Sequence, residues 1–555
     1  MTLSSASLRL LAAMIGIGAS LRLVLYLTNN SVIMDEARVA VNVLSRSYLD
    51  LLPPLDHDQS APIMFLWSVK ALTDLFGPGE FALRAVALAS GIGTLLLSYP
   101  ALRHPIGPPA AAIATSLLAM SPGLVQYSAT AKQYGLEAFV TLVLIKLTFD
   151  VLRAPTSGSI RWLLLGGMVA PWASAPAGFV LVSIVGALGL RWSGPGGWGY
   201  KVALKAAALW GCSYLLAYGL VYRYASQNPY MQRFWEPAFL TPENPDAASQ
   251  FFRVMRGLLW GGLPEEIHAT SGDIIRDTLV LFTTIGLATY ASVGFARLRQ
   301  AGGPSAAVAV VGPILLAAGA SIAGFYPFSR RLMLFALPLL ALLVGAGIAA
   351  AFSYSRSSRQ RTAHGIVVAL VLFPPFLTAC LTGIAKRASA RTLISASHPE
   401  RRGGEPIYIS PASIPEWTYY TTDWNNPDRP RLALLNRVAR PGGPSFENAP
   451  SRDSVPMGTG VDLIWPSSTG DEILGLATGI ELRAGEGNPE TRTDRGWLTN
   501  ESARIQAAAA PGVWVLLKTP YGPEIELLDA VERAGGHQTH SLVLRGIVLA
   551  RYEFP

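Results

Sequence analysis

The chain has 555 residues, of which 51% are hydrophobic and only 14% charged, and a formal net charge of +8. It is too long and too apolar for one soluble domain, and the balance is that of a polytopic membrane protein. The positive charge does not imply a nucleic-acid partner, because most Lys and Arg sit in short links between apolar runs, where they set topology, and no nucleic-acid-binding motif is present.

The opening stretch "MTLSSASLRLLAAMIGIGASLRLVLYL" has the length of a span, lacks a small-x-small cleavage site and contains Arg22, so a retained first helix is expected rather than a cleaved signal. Further apolar runs follow at about 80–101, 108–127, 134–152, 162–174, 176–190, 201–222, 277–296, 305–325, 332–352 and 365–385, giving about 11 candidate spans with the first at 7–27. With the N-terminus inside, the inner links "RHPIG", "RAPTSGSIR", "RWSGPGGWGYK", "ARLRQAGGP" and "SYSRSSRQRTAHG" all carry Arg or Lys, as the positive-inside rule requires. The outer face then receives the loops 28–79, 128–134 and 223–276, the turn "YPFSRR" and everything after about residue 386. One apolar segment, "APIMFLWSVKALTDLFG", is short for a span and carries Lys70 and Asp74. It is expected to be a helix packed at the outer interface.

Beyond residue 386 the composition turns Pro- and Gly-rich with short alternating segments. "PIYIS", "VDLIW" and "VWVLLK" have the pattern of strands, "EIELLDAVERAGG" that of a helix ended by its Gly pair, and "SLVLRGIVLARYEF" that of a closing strand or hairpin. The expected architecture is an all-α polytopic membrane bundle over 1–386, with interfacial helices, followed by a soluble α/β domain over 387–555 on the outer face. Cys212 and Cys380 lie inside apolar runs and offer no disulfide framework.

The chemistry-bearing residues collect on the outer side. Asp35 and Glu36 directly follow the first span, and the plain alternative for them is a pair of first-turn helix acids. The same loop carries "PPLDHDQSAP", with Asp56, His57, Asp58 and Gln59, and Arg84 stands at the outer end of the second span. An Arg at membrane depth needs a partner, and Asp35 or Glu36 is the obvious one. The next outer link, "YSATAKQYGLEAF", brings Lys132, Tyr134 and Glu137, for which interfacial anchoring is the plain alternative. Arg330 and Arg331 stand outside against the positive-inside pattern, and binding an anionic phosphate gives such charges a reason. Arg22 suits either phosphate binding or internal pairing. A divalent cation between Asp35 and the nearby acids is an option that the residues leave open. No Walker loop, Rossmann fingerprint, zinc ligand set or nucleophile elbow is present.

The acidic "DE" after the first span, "QSAPIMFLWSVKALTDLFGPGEFALR", "SATAKQYGLEAF" and "RRLMLFALPLL" together resemble the GT-C glycosyltransferases of the protein mannosyltransferase and aminoarabinose transferase superfamily, over roughly 7–350. The resemblance implies a multi-pass enzyme of the bacterial cytoplasmic membrane, with a cytoplasmic N-terminus and a periplasmic C-terminal domain. It would transfer a sugar from a polyprenyl-phosphate donor to a glycolipid, polysaccharide or protein acceptor. It further implies Asp35 as the base, Glu36 paired with Arg84, and Lys132 with one or both of Arg330 and Arg331 as donor-phosphate ligands. His57, Asp58, Gln59, Tyr134 and Glu137 are then substrate-site candidates. One departure is visible: Gln59-Ser60-Ala61-Pro62 stands where many relatives have a Lys-Pro-Pro run, so Lys132 is expected to replace the missing Lys. Two rival readings are a transporter or flippase of an anionic lipid or solute, and a non-catalytic assembly or sensor protein. The first should show internal repeats, which are not evident.

Overall fold

The computed structural model of the protein describes residues 4–191, 198–260 and 274–355 and, in shorter pieces, parts of 357–369, 390–425, 463–464 and 499–555. The apolar runs fold as helices: α1 (Ser5–Leu27), α2 (Met34–Ser45), α3 (Ile63–Phe76), α4 (Glu80–Ile106), α5 (Pro108–Met120), α6 (Pro122–Tyr127), α7 (Tyr134–Arg153), α8 (Ser157–Ala173), α9 (Ala177–Gly189) and α10 (Trp198–Ala217). After these come α11 (Arg223–Ser226), α12 (Pro229–Trp235), α13 (Ala247–Trp260), α14 (Ile274–Ile322) and α15 (Leu337–Tyr354).

Among the described residues, five helices are long and apolar enough to cross a membrane, namely Ser5–Leu27, Glu80–Ile106, Trp198–Ser226, Leu281–Ile322 and Leu332–Tyr354, while Pro108–Met120 and Ala177–Gly189 are apolar but shorter. The chain is a multi-pass membrane protein, and the expected count of about 11 spans is not confirmed. Two local features explain part of the difference. The run at 108–127 is divided at Ser121 and Pro122, because a proline cannot continue the hydrogen-bond ladder of the preceding helix. The runs at 277–296 and 305–325 lie on one element interrupted at Gly303, whose φ of 72° only glycine adopts freely. The candidate span at 365–385 falls largely outside the described residues.

The centre of the bundle is α15, where every residue from Leu337 to Ile348 is buried, as expected of a helix apolar on all sides. It packs against α14 and α5 through small residues. A Cβ on Gly347 would lie 1.9 Å from the Tyr290 carbonyl oxygen and one on Gly294 1.8 Å from that of Leu343, so the two backbones touch only because both positions are glycine.

Arg22 resolves into internal pairing. Its guanidinium is fully buried and donates to the carbonyls of Gly18 (2.8 Å), Ala119 (2.9 Å) and Leu118 (3.0 Å). Leu118 and Ala119 end α5, where the helix break leaves carbonyls with no partner in their own helix. An arginine from α1 therefore closes a backbone break within the bundle.

The C-terminal region forms a five-stranded sheet from β1 (Ile407–Ile409), β2 (Leu463–Ile464), β3 (Gly512–Lys518), β4 (His537–Leu544) and β5 (Ile547–Glu553), in the order β2-β1-β3-β5-β4. β1 runs parallel to β2 and β3, whereas β5 is antiparallel to β3 and β4. The helix expected from "EIELLDAVERAGG" is present at Pro523–Arg533 and ends at Gly535, φ 95°, with the Gly536 N–H donating to the Val531 carbonyl. A short helix, α16 (Ile414–Thr421), leaves this region and packs against α2.

Replacing Arg22 by Leu should destabilise the protein by about 3 kcal/mol, since three buried carbonyls lose a charged donor. The check is the temperature at which detergent-solubilised protein ceases to be monodisperse, and an unchanged temperature would contradict the role given to Arg22.

Candidate active site

Glu36 is the structural centre of the site. It stands at the third position of α2, where its Oε2 accepts the Ile33 N–H (3.2 Å) and so closes the helix N-terminus. Arg84 of α4 meets the same carboxylate in a fork, Nε to Oε1 and Nη2 to Oε2, both at 2.8 Å. The Ala131 N–H donates to Oε1 at 2.7 Å, which joins the 128–133 link to the pair. The other donors of Arg84 reach the carbonyls of Asn30 (2.6 Å) and Ser31 (3.2 Å). Both side chains are buried, 0% exposed for Glu36 and 2% for Arg84, and every lone pair of the carboxylate is engaged, which is what allows such charges to persist there.

Asp35 precedes Glu36 on the helix and points elsewhere. Its Oδ2 accepts from Arg331 Nη1 at 2.8 Å, and both side chains keep about a third of their surface exposed. The Arg331 guanidinium also lies 4.6 Å from the Trp235 ring, which fixes its plane. Arg330, its neighbour in sequence, lies instead against Gly257 and lines a separate cavity with Glu243, Asp246 and Arg253. The two arginines diverge: Arg331 pairs with Asp35, while Arg330 packs against Gly257.

Lys132 is 5% exposed and gives its Nζ proton to Gln59 Oε1 at 2.7 Å, while Gln59 Nε2 donates to the His57 carbonyl (3.1 Å). Burial pushes the Lys132 ammonium down to about 8; Asp35 opposes this and the guanidiniums of Arg331 and Arg38 reinforce it. Arg38, on α2 one turn after Asp35, was not among the sequence candidates. Its signal was present, because residues three apart share a helix face. Asn42 was missed as well: it exchanges two hydrogen bonds with the backbone of Asp56 and so docks the 56–59 loop on α2.

The remaining candidates divide. His57 and Asp58 both have positive φ, 60° and 51°, an uncommon conformation for residues with side chains. His57 is buried, and burial with the nearby Arg38 and Arg46 pushes its imidazole down to about 3, so it is neutral at physiological pH. Asp58 accepts from Asn228 Nδ2 at 2.6 Å and, with Gln59, lines a cavity of about 270 Å³ walled by Leu51, Leu55, Val221 and Met231. Tyr134 is buried edge-on against Tyr127, and Glu137 is buried one turn deeper on α7, near Tyr222 and Tyr326.

The acids do not converge on one point. Glu36 faces Arg84, Asp56 faces Arg46 and Asp35 faces Arg331, and among the described residues no group of three His, Cys, Asp or Glu could hold a metal ion. What converges is positive charge: Lys132, Arg38 and Arg331 stand around one accessible carboxylate, Asp35. Such a centre is suited to an anion, above all one with several oxygens.

Residues 60–189 match the family model of the dolichyl-phosphate-mannose-protein mannosyltransferases. The matched stretch includes Arg84, Lys132, Tyr134 and Glu137, and it bears out the GT-C glycosyltransferase resemblance read from the sequence; Asp35, Glu36, Arg330 and Arg331 lie outside it. Solved structures similar in shape include ArnT from Cupriavidus metallidurans, in the apo state (13% identity, TM-score 0.48) and bound to undecaprenyl phosphate (12%, 0.49), each likeness covering 99% of this chain and 98% of that one. Another is the archaeal oligosaccharyltransferase AglB from Archaeoglobus fulgidus in complex with an inhibitory peptide and a dolichol-phosphate, at 12% identity and a TM-score of 0.48, covering 99% of this chain and 74% of that one. No curated protein matches the chain.

Because Lys132 loses its proton near pH 8, binding of a lipid phosphate at this centre should weaken by up to about tenfold between pH 7 and 9. Lys132→Arg, which stays charged, should flatten that dependence. Titration of the solubilised protein with undecaprenyl phosphate at several pH values measures both.

Proposed function

We propose that the protein is a membrane glycosyltransferase that moves a sugar from a polyprenyl-phosphate donor to an acceptor hydroxyl at the outer face of the membrane. The observation that carries this reading is an accessible carboxylate, Asp35, ion-paired with Arg331 and within the electrostatic reach of Lys132, itself near Arg38, at the ends of the bundle helices. Glycosyl transfer from a lipid phosphate needs a base for the acceptor, cations for the leaving phosphate and an apolar bed for the isoprenoid.

In the proposed reaction Asp35 takes the proton of the acceptor hydroxyl as its oxygen bonds to the anomeric carbon. The bond between that carbon and the phosphate oxygen breaks, its electron pair stays on the phosphate, and Lys132, Arg38 and Arg331 stabilise the released polyprenyl phosphate. One base and no covalent nucleophile imply a single displacement with inversion, by analogy with inverting glycosidases. The Asp35–Arg331 ion pair gives the steps an order. A phosphate is a strong bidentate partner for the guanidinium, so an arriving donor draws Arg331 away and leaves Asp35 free for the acceptor.

Gln59 and Lys132 account for the departure from the Lys-Pro-Pro pattern: the ammonium that position 59 lacks is delivered to it by Lys132, through the 2.7 Å hydrogen bond to the Gln59 amide. The basic links between spans support a bacterial cytoplasmic membrane location with the N-terminus inside and the domain after about residue 386 outside. The acceptor is a glycolipid, a polysaccharide or a protein.

Asp35→Asn should leave the protein folded and able to bind undecaprenyl phosphate, while product falls by about two orders of magnitude or more. Mass spectrometry of glycolipids from cells making either form reads the missing product and the accumulated donor together; near-normal product would remove Asp35 from the role of base. Arg331→Gln should weaken undecaprenyl phosphate binding by about tenfold, whereas Arg330→Gln should leave it within about twofold. Equal effects of the two variants in a binding titration would contradict the assignment.

A further inference from the structure

The backbone that delivers Asp35 is held from two sides. Residues 29–33 join α1 to α2, and Asn29 within them has a φ of 45°, so the connection is sharply bent. From the bundle, Arg84 binds the carbonyls of Asn30 and Ser31. From the C-terminal region, the Val32 N–H donates to the Tyr420 hydroxyl at 2.7 Å and Arg391 donates to the Asn29 carbonyl at 3.1 Å. The Tyr420 hydroxyl in turn donates to the carboxylate of Glu80 (3.0 Å), the first residue of α4, and Arg391 forms an ion pair with the same carboxylate. Tyr419 completes the clasp by donating to the Pro78 carbonyl at 2.8 Å, its ring buried among side chains of α2 and α3.

The contacts from Arg84, Tyr420 and Arg391 to Asn29, Asn30, Ser31 and Val32 all fall on the short backbone connection that leads to Asp35. We infer that Tyr420 and Arg391, from the C-terminal region, complete the active site as positioning residues that fix the 29–33 segment and hence the place of Asp35. Burial and the neighbouring Glu80 push the Tyr420 phenol up to about 12, so it stays a hydrogen-bond donor to Glu80 across the physiological range. Without the hydroxyl, the Val32 N–H loses its partner and Glu80 Oε1 keeps only Arg391, so from the C-terminal side the segment is held by the Arg391 contact to the Asn29 carbonyl alone. The C-terminal region then acts in catalysis through geometry, without touching the reacting atoms.

This inference rests on Asp35 being the base, and its test separates the two. Full-length Tyr420→Phe and Arg391→Gln, reconstituted in lipid, are compared with the unaltered protein by hydrogen exchange over residues 28–36, by undecaprenyl phosphate titration and by glycolipid product. Phe keeps the ring and its packing, and Arg391→Lys serves as the rescue. The expected result is exchange over 28–36 faster by about tenfold, phosphate affinity within about twofold, and product lower by about tenfold, with Arg391→Lys restoring most of it. Unchanged exchange over 28–36, or faster exchange with undiminished product, overturns the inference. Failure of the Asp35 assignment is read from a different variant, as retained product in Asp35→Asn.

Discussion

The buried pair of Glu36 and Arg84 is the interaction on which the site depends. A carboxylate and a guanidinium withdrawn from water persist only when each lone pair and each donor is used, and here the surplus bonds go to backbone from two separate places: Asn30, Ser31 and Ile33 between α1 and α2, and Ala131 beside Lys132. One ion pair thereby sets the distance between the helix that carries Asp35 and the link that carries Lys132. Removing either partner would leave an unpaired charge in a dry site and unfasten both segments together.

Arg22 obeys the same rule in another part of the bundle. Where Ser121 and Pro122 interrupt the helical ladder, the freed carbonyls of Leu118 and Ala119 find an arginine rather than water. Both sites show why charged residues tolerated inside an apolar bundle are informative: each either satisfies broken backbone or holds another functional group in place. Asp35 and Arg331 belong to neither class. They remain partly exposed, and a partner able to compete for Arg331 can separate them, which is the behaviour expected of reacting groups rather than of scaffolding.

Much of this was legible in the sequence because charge in an apolar chain is costly and therefore conspicuous. Asp35, Glu36, Arg84, Lys132 and Arg331 were all visible as polar residues at the outer ends of apolar runs, and the pairing of Arg84 with an acid of the first loop followed from the cost of leaving it alone. Arg38 and Asn42 were passed over because they sit within an ordinary amphipathic helix, where a polar residue is the default on the solvent side; only packing against the 56–59 loop turns that side inward. Arg330 and Arg331 could not be told apart for the opposite reason, since two adjacent arginines are indistinguishable in sequence while their side chains diverge in space.

The sequence by itself determined the polytopic class, the gathering of acids and cations in the links between apolar runs, and the C-terminal strands and helix, because apolar length and residue periodicity act locally. Tertiary structure decided which of the two acids is sequestered and which is accessible, that Lys132 reaches Gln59, and that Tyr420 and Arg391, more than 350 residues along the chain, grip the segment leading to Asp35. Those outcomes depend on distances between residues far apart in sequence, which no local pattern encodes, and on burial, which gives neighbouring carboxylates opposite fates.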